Sequence, residues 1–345
     1  MSSFVIDGMS VPWATSSPLW SVSAETSADA LARGGLGMLI RAAAGDASDT
    51  PPSAERRFTP PFDLRDADEL RLWTRSTRAA DGSAALPFYL ALEATTAAPG
   101  AATWRRFLPV PRAGAWTLQR LVLDDMPPDL REAVAVLRIR SLDAGAAFEA
   151  SLDELMAVRP EPLGDVDSAL LARFHETFEV AVDGAPALVP AVVDVPESPG
   201  DRTPPFILIT PWSVLALDRR AGSDDVVDNY TDAGAFVRPA PRSVQLDFKL
   251  DVIAADRAQK AGLLERVLTS ILSDPQLVAA NMPLEILPVE PSKEDAALLV
   301  PGRTPVFVRM TTEFETGPRR LLGLAVPFIL AGPSDGRETA ELTAI

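Results

Sequence analysis

The chain has 345 residues, with 48 Asp and Glu against 32 Lys and Arg, one histidine and no cysteine. A formal net charge of −16 lacks the basic footprint that supplies most nucleic-acid affinity, and it equally disfavours an anionic membrane surface. The missing cysteines exclude disulfides, thiolate metal sites and a cysteine nucleophile, while 47% hydrophobic residues suffice for packed cores in about two domains.

Residues 1–160 read as all-β. The opening SSFVIDGMSVPW has no basic stretch and no long apolar run, so no signal peptide is expected. Strand-like segments follow at short spacing: FVID from Phe4, GLGMLIRAA from Gly35, DELRLWTRS from Asp68, PFYLALEAT from Pro87, WRRFLPV from Trp104, WTLQRLVL from Trp116 and AVAVLRIRS from Ala133. In DELRLWTRS, Leu70, Leu72 and Thr74 share one face, and Arg71, Trp73 and Arg75 the other, the alternation of a half-buried antiparallel strand. Gly, Pro and Asp turns separate the segments, which predicts a β-sandwich.

The succession ARGGLGMLIRA, FTPPFDLRDADELRLWTRS, PFYLALEA, WRRFLPVPRAGAWTLQRLVLDDMP and LRIRSLDAGAAFEASLDELMA resembles the galactose-binding-like jelly roll. That fold is shared by many carbohydrate-binding modules and also serves as a plain docking domain. The resemblance makes Trp73, Trp104 and Trp116 candidate glycan-facing aromatics, since an exposed ring stacks on a sugar; the bland alternative is core packing.

Residues 161–204 read as a helix and a Pro-rich linker. RPEPLGD looks stiff and polar, and Asp165 or Asp167 is placed to cap a helix through SALLARFHETFEVAV. Leu170, Leu171, Phe174 and Phe178 make its apolar stripe.

Residues 205–335 read as a small α/β domain with a mixed sheet and packed helices, and 336–345 as a tail, so the chain as a whole is α+β and multidomain. FILITPWSVL is nearly continuous in apolar residues, which predicts a strand buried on both faces. Arg219–Pro241 contains four Asp, two Gly and two Pro and is expected to be a long exposed loop. Its Asp224, Asp225, Asp228, Tyr230, Phe236 and Val237 are candidate assembly contacts, mobile until a neighbouring subunit orders them. VQLDFKLDVI places Val244, Leu246, Phe248, Leu250 and Val252 on one face. A helix over Asp256–Ser273 is expected to bury Leu264, Val267, Leu268, Ile271 and Leu272, with Pro275 stopping it. LEILPVE, PVFVRMTTEFE and LLGLAVPFIL read as further extended segments; the last is too short to span a bilayer and holds Pro327.

VPAVVDVPE, PPFILITPWSVLALDRR, SVQLDFKLDVIAADRAQ and LLERVLTSILSDPQLV together resemble the tail-terminator-like α/β domains of phage tail and neck proteins and of related contractile injection systems. An N-terminal sandwich departs from the small terminators of that family.

Catalytic constellations are sparse. His175 stands alone, in ALLARFHETFEV. Glu313 and Glu315 fall on one side of a strand, where a solvent face is the plain explanation. Asp218, Asp224, Asp225, Asp228 and Asp232 lack the spacing and closing Glu of a calcium loop. Gly34, Gly35 and Gly37 precede no phosphate-binding lysine and read as a turn. The expectation is a non-enzymatic structural component of a phage tail, neck or baseplate, or of a related contractile injection particle. It would be made in the host cytoplasm and carried in the virion or particle, without cofactor or metal. Its expected partners are other particle structural proteins and copies of itself in a ring, with no nucleic acid and no membrane. The alternative is a carbohydrate-binding or adhesion module, for which a glycan is the partner.

Overall fold

A computed structural model describes residues 3–15, 17–27, 35–44, 52–96, 103–143, 146–182, 184–193, 203–217, 225–290, 305–315 and 317–323. The protein is mostly β, with several sheets. The first half contains β1 (Ser3–Asp7), β2 (Ala14–Thr15), β3 (Trp20–Glu25), β4 (Gly37–Ala42), β5 (Ser53–Phe62) and β6 (Glu69–Ser76). It continues with β7 (Leu90–Thr95), β8 (Thr103–Phe107), β9 (Thr117–Val122), the short helix α1 (Pro128–Glu132), β10 (Val134–Ser141) and β11 (Phe148–Val158).

These strands form two antiparallel sheets, ordered β3-β4-β11-β6-β9 and β2-β5-β10-β7-β8, with β1 added to the far half of β11. One apolar core lies between them: Ile40, Leu70, Leu72 and Leu152 from the first sheet meet Ala54, Leu92, Leu137 and Ile139 from the second. Four strands of the first half, β2, β3, β5 and β11, escaped the sequence pattern. β5 contains Pro60 and Pro61 and lies next to the two-residue β2, an edge-like place where missing donors are tolerated. β11, within the LRIRSLDAGAAFEASLDELMA segment, is an 11-residue central strand. A bulge at Asp153–Met156, with Glu154 at φ 40°, breaks its alternation halfway.

The second half contains α2 (Pro162–Phe174), β12 (Glu179–Val182), β13 (Ala185–Leu188), β14 (Ala191–Val193), β15 (Phe206–Ala216), β16 (Asp225–Thr231) and β17 (Gly234–Pro239). Then follow β18 (Arg242–Ile253), α3 (Arg257–Ser273), β19 (Gln276–Ala279), β20 (Met282–Glu285), β21 (Leu287–Val289), β22 (Pro305–Phe314) and β23 (Arg320–Gly323). Its main sheet, β14-β15-β18-β22-β21, is mixed: β14 runs parallel to β15 and the other pairs are antiparallel. Val244, Leu246, Phe248, Leu250 and Val252 of β18 are all buried, in one core with α2 and α3.

α3 starts where its cap chemistry dictates. The Asp256 carboxylate accepts the Gln259 N–H at 2.8 Å, and Gln259 Oε1 accepts the Ala255 N–H at 2.9 Å. Its buried face is Leu263, Val267 and Ile271; Leu272, expected inside, is 68% exposed. α2 begins earlier than expected, because Pro162 suits a first helical turn and the Asp165 carboxylate accepts the Glu161 N–H at 3.1 Å. PLGD is therefore helical and not a linker. The helix stops at Phe174, and Phe178 is buried beyond it on the way into β12.

Two further expectations are corrected. β15 is buried on both faces only from Phe206 to Thr210, and Pro211–Ala216 are exposed apart from half-buried Trp212. Within Arg219–Pro241, the described residues form the β16–β17 hairpin instead of a long loop, and β23 adds a third strand to it. Asp218, Asp224, Gly34, residues 324–335 and the expected tail lie outside the described residues.

Candidate functional site: the seam between the two halves

The outward face of the first sandwich sheet is buried along β6, where Glu69 and Arg71 are 0% and 2% exposed. The second half covers it there, and the contact is built from charge. Glu69 and Arg71 project outward from β6, and Arg120 from the neighbouring β9, where Arg71 and Arg120 are directly opposed. Two like charges facing across a ladder repel; Glu69 resolves this by bonding both. Arg71 Nε donates to Glu69 Oε1 at 2.7 Å, and Arg120 donates to the two Glu69 oxygens at 3.2 and 3.1 Å. Arg319, 250 residues away, donates to Glu69 Oε2 at 2.8 Å. Burial alone pushes the Glu69 carboxyl up, but the fields of Arg71, Arg120 and Arg319 overcome it and hold the group at about 2.

Arg319 also reaches Asp228 at 3.3 Å and Glu315 at 2.9 Å, and Arg120 reaches Glu315 at 2.6 Å. Arg238 Nε donates to Asp228 Oδ1 at 2.7 Å. Asp228 is thus a buried member of an ion network, not an exposed assembly contact. Asn229 Nδ2 donates to the Arg120 carbonyl at 3.1 Å, tying the hairpin to β9 by its backbone as well.

A second anchor is the turn between β19 and β20. Its central residues, Ala280 and Asn281, have φ of 46° and 65°, as a two-residue type I′ hairpin requires. The turn presents the Ala280 carbonyl to Arg71 Nη1 at 2.5 Å and Asn281 Oδ1 to Trp73 Nε1 at 2.9 Å. Asn281 Nδ2 donates in turn to the Glu154 carbonyl at 3.0 Å, at the bulge of β11.

The remaining candidates are accounted for by packing. Phe236 and Val237 are buried strand residues, and the Phe236 ring lies 5.0 Å from the Arg106 guanidinium. Tyr230 packs on Phe88 with ring centroids 4.9 Å apart. Asp225 pairs with Arg320, and Asp232 with Arg105 at 3.2 Å. Trp73 belongs to the seam, and Trp104 is buried with its N–H on Asp125 at 3.1 Å. Trp116 is half-buried, and its N–H is enclosed without a partner. The N–H groups of Trp73 and Trp104 are thus spent on Asn281 and Asp125.

The outer face of the other sandwich sheet is a row of alternating charge. Glu55, Arg138, Glu93 and Arg105 stand side by side across β5, β10, β7 and β8. Arg138 bonds Glu55 at 2.9 Å and Arg105 bonds Glu93 at 2.9 Å. His175 caps the end of α2, where its Nδ1 accepts the Ala191 N–H at 3.2 Å. Among the described residues no group of three or more His, Asp or Glu is placed to hold a metal ion, and no helix is long and apolar enough to cross a membrane.

Sequence reasoning missed Glu69, Arg71, Arg120, Arg238 and Arg319 as a set. Arg71 was visible on the polar face of β6, but nothing local says that another part of the chain covers that face.

No protein-family model matches the sequence, and no curated protein matches it. Among solved structures, the family 11 carbohydrate-binding module of a Clostridium thermocellum cellulosomal cellulase shares 12% identity. It covers 46% of this chain and 95% of its own, with a TM-score of 0.35. A family 30 carbohydrate-binding module shares 9% identity over 46% of this chain and 89% of its own, at 0.36. The sheath/tube terminator of an extracellular contractile injection system, PVC, in its extended state, shares 15% identity over 54% of this chain and 67% of its own, at 0.36. Likenesses at these scores carry no argument, and the architecture stands on the strand pairing above.

Proposed function

We propose that the chain is a non-enzymatic structural component of a phage tail, neck or baseplate, or of a related contractile injection particle, that assembles through its second half. In this reading the sandwich is a galactose-binding-like jelly roll used for docking, and the second half is a tail-terminator-like α/β domain. The observation that carries it is the outer edge of β15. β14 pairs only with Ile207–Ile209, and from Pro211 to Ala216 no described strand lies on that side. Val214, Leu215 and Leu217 are 61%, 54% and 41% exposed along it. Val214 and Ala216 pair with Leu246 and Val244, so this stretch continues the main sheet beyond its covered part. An apolar, unpaired edge is costly to leave in water and is the usual template for strand addition by another chain.

Sedimentation of the intact chain across micromolar concentrations tests this. Self-association is expected, and it should be lost in Val214→Lys/Leu215→Lys while the fold is kept, because both side chains are exposed in the single chain. A monomer at every concentration would sink self-assembly through this edge. The alternative reading, a carbohydrate-binding module, fits the sandwich architecture, with half-buried Trp116 as its candidate ring. Saturable binding to a glycan array, abolished by Trp116→Ala in a folded chain, would favour it.

A further inference from the structure

The ladder between β15 and β18 fixes which backbone groups the free edge of β15 presents. The Leu217 N–H donates to the Ser243 carbonyl at 3.0 Å, and the partners continue as Ala216↔Val244, Leu215↔Gln245, Val214↔Leu246 and Ser213↔Asp247. In an antiparallel ladder the pairs that exchange hydrogen bonds alternate with pairs that do not. Ser213, Leu215 and Leu217 therefore spend their backbone groups on β18, while Val214 and Ala216 turn theirs to the open side. No described strand meets them there. Side chains alternate at the same step: Val214 and Ala216 share the face of Leu246 and Val244, and Leu215 and Leu217 take the opposite one. All four side chains are exposed.

Two features select an occupant for this edge. From Phe206 to Leu217 the strand holds no charged residue, in a chain of net charge −16. Where two identical edges meet about a two-fold axis, residues near the axis face their own kind, so a charge there would meet its like and be repelled. An edge without charge escapes that penalty. The opposite edge of the main sheet is a poor template for head-to-tail extension. It is β21, three residues long, and its central residue, Pro288, has no N–H to donate.

We infer that the occupant is the same edge of a second copy, antiparallel and related by a two-fold axis at Leu215. This rests on the reading above that the chain assembles through β15. Val214 then exchanges both backbone hydrogen bonds with Ala216 of the second copy, and the mirror pair does the same. Leu215 meets Leu215 of the second copy in a pair without hydrogen bonds, with Cα atoms about 4.5 Å apart. The two five-stranded sheets become one continuous sheet. Such a contact closes on itself, so this edge makes pairs, and any ring of copies is built through another surface.

The natural chain has no cysteine, so single thiols report the register. Under mild oxidation of the intact chain, Leu215→Cys should form a disulfide-linked dimer roughly tenfold faster than Ser213→Cys or Leu272→Cys, because only its thiols are held together. In this register the two Ser213 positions lie about 13 Å apart along the strands, beyond the span of a disulfide. Leu272 is 68% exposed on α3 and not part of the edge. All three positions are exposed, so each variant should keep the thermal unfolding midpoint of the natural chain. A folded Leu215→Cys chain that cross-links no faster than Leu272→Cys would overturn the two-fold pairing, and so would Ser213→Cys cross-linking as fast as Leu215→Cys. If self-association is nevertheless present and is lost in Val214→Lys/Leu215→Lys, assembly through β15 stands and only the partner named here falls. A monomer at every concentration removes both.

Discussion

β6 has a buried face on each side, and the two are made of opposite materials. Leu70 and Leu72 point into the sandwich core at 0% exposure, while Glu69 and Arg71 point into the seam at 0% and 2%. Burial of the first pair releases apolar surface from water at about 25 cal/mol per Å². Burial of the second pair costs desolvation, and it persists because Glu69 meets three guanidinium groups and Arg71 meets Glu69 and the Ala280 carbonyl. Equal burial therefore hides unequal tolerance. A core accepts a smaller apolar residue at a graded cost, whereas a buried ion network fails when one member is lost.

The sharpest test of that contrast is Glu69→Ala, which strands Arg71, Arg120 and Arg319 around a missing carboxylate. A loss of about 4 kcal/mol is expected in urea unfolding, with release of the hairpin and β23 from the sandwich seen as new amide exchange in β16. A loss below about 1 kcal/mol would mean that the network is not closed in solution. Leu92→Ala, in the sandwich core at 0% exposure, should cost about 3 kcal/mol by transfer and cavity formation, without loosening the hairpin. If it frees the hairpin first, the two faces are not independent.

Acid separates the two materials in the unsubstituted chain. Glu69 is depressed from 4.5 to about 2 in the folded state, so its contribution is fully present above pH 4.5 and is lost as pH falls towards 2. The unfolding midpoint should drop through that window more steeply than in Glu69→Gln, and equal slopes would remove Glu69 as the cause. The smallest effect is expected on the outer sandwich face. Arg138 is about one-third exposed and pairs with Glu55 in solvent-reached surroundings, so Arg138→Ala should change stability by at most about 1 kcal/mol, and less in high salt. A larger change would show that the charge row acts as one unit.

The strand elements that were legible are those whose covering layer matches their own period. β18 alternates apolar and polar over its whole length because one face meets α2 and α3, and β6 shows Leu70 and Leu72 against Arg71 and Trp73. β11 was not legible, since the Glu154 bulge moves its pattern from one face to the other in mid-strand. The second half of β15 misled for another reason: its residues are apolar, but nothing among the described residues covers Val214 or Leu215. Hydrophobicity reports what a residue would gain by burial, not whether its own chain supplies the cover.

For the candidate site the division is sharper. By itself the sequence determined that the chain forms β-rich cores, that α3 begins at Asp256, and that Arg71 and Trp73 share a face, because side-chain period and cap chemistry act within a few residues. Only the tertiary structure decided that this face is closed by Arg319, Asn281 and Arg238, and that Asp228 is buried instead of exposed. A charged side chain looks alike in the sequence whether water or a counter-ion 250 residues away will meet it, and only the folded chain brings that partner within hydrogen-bond distance.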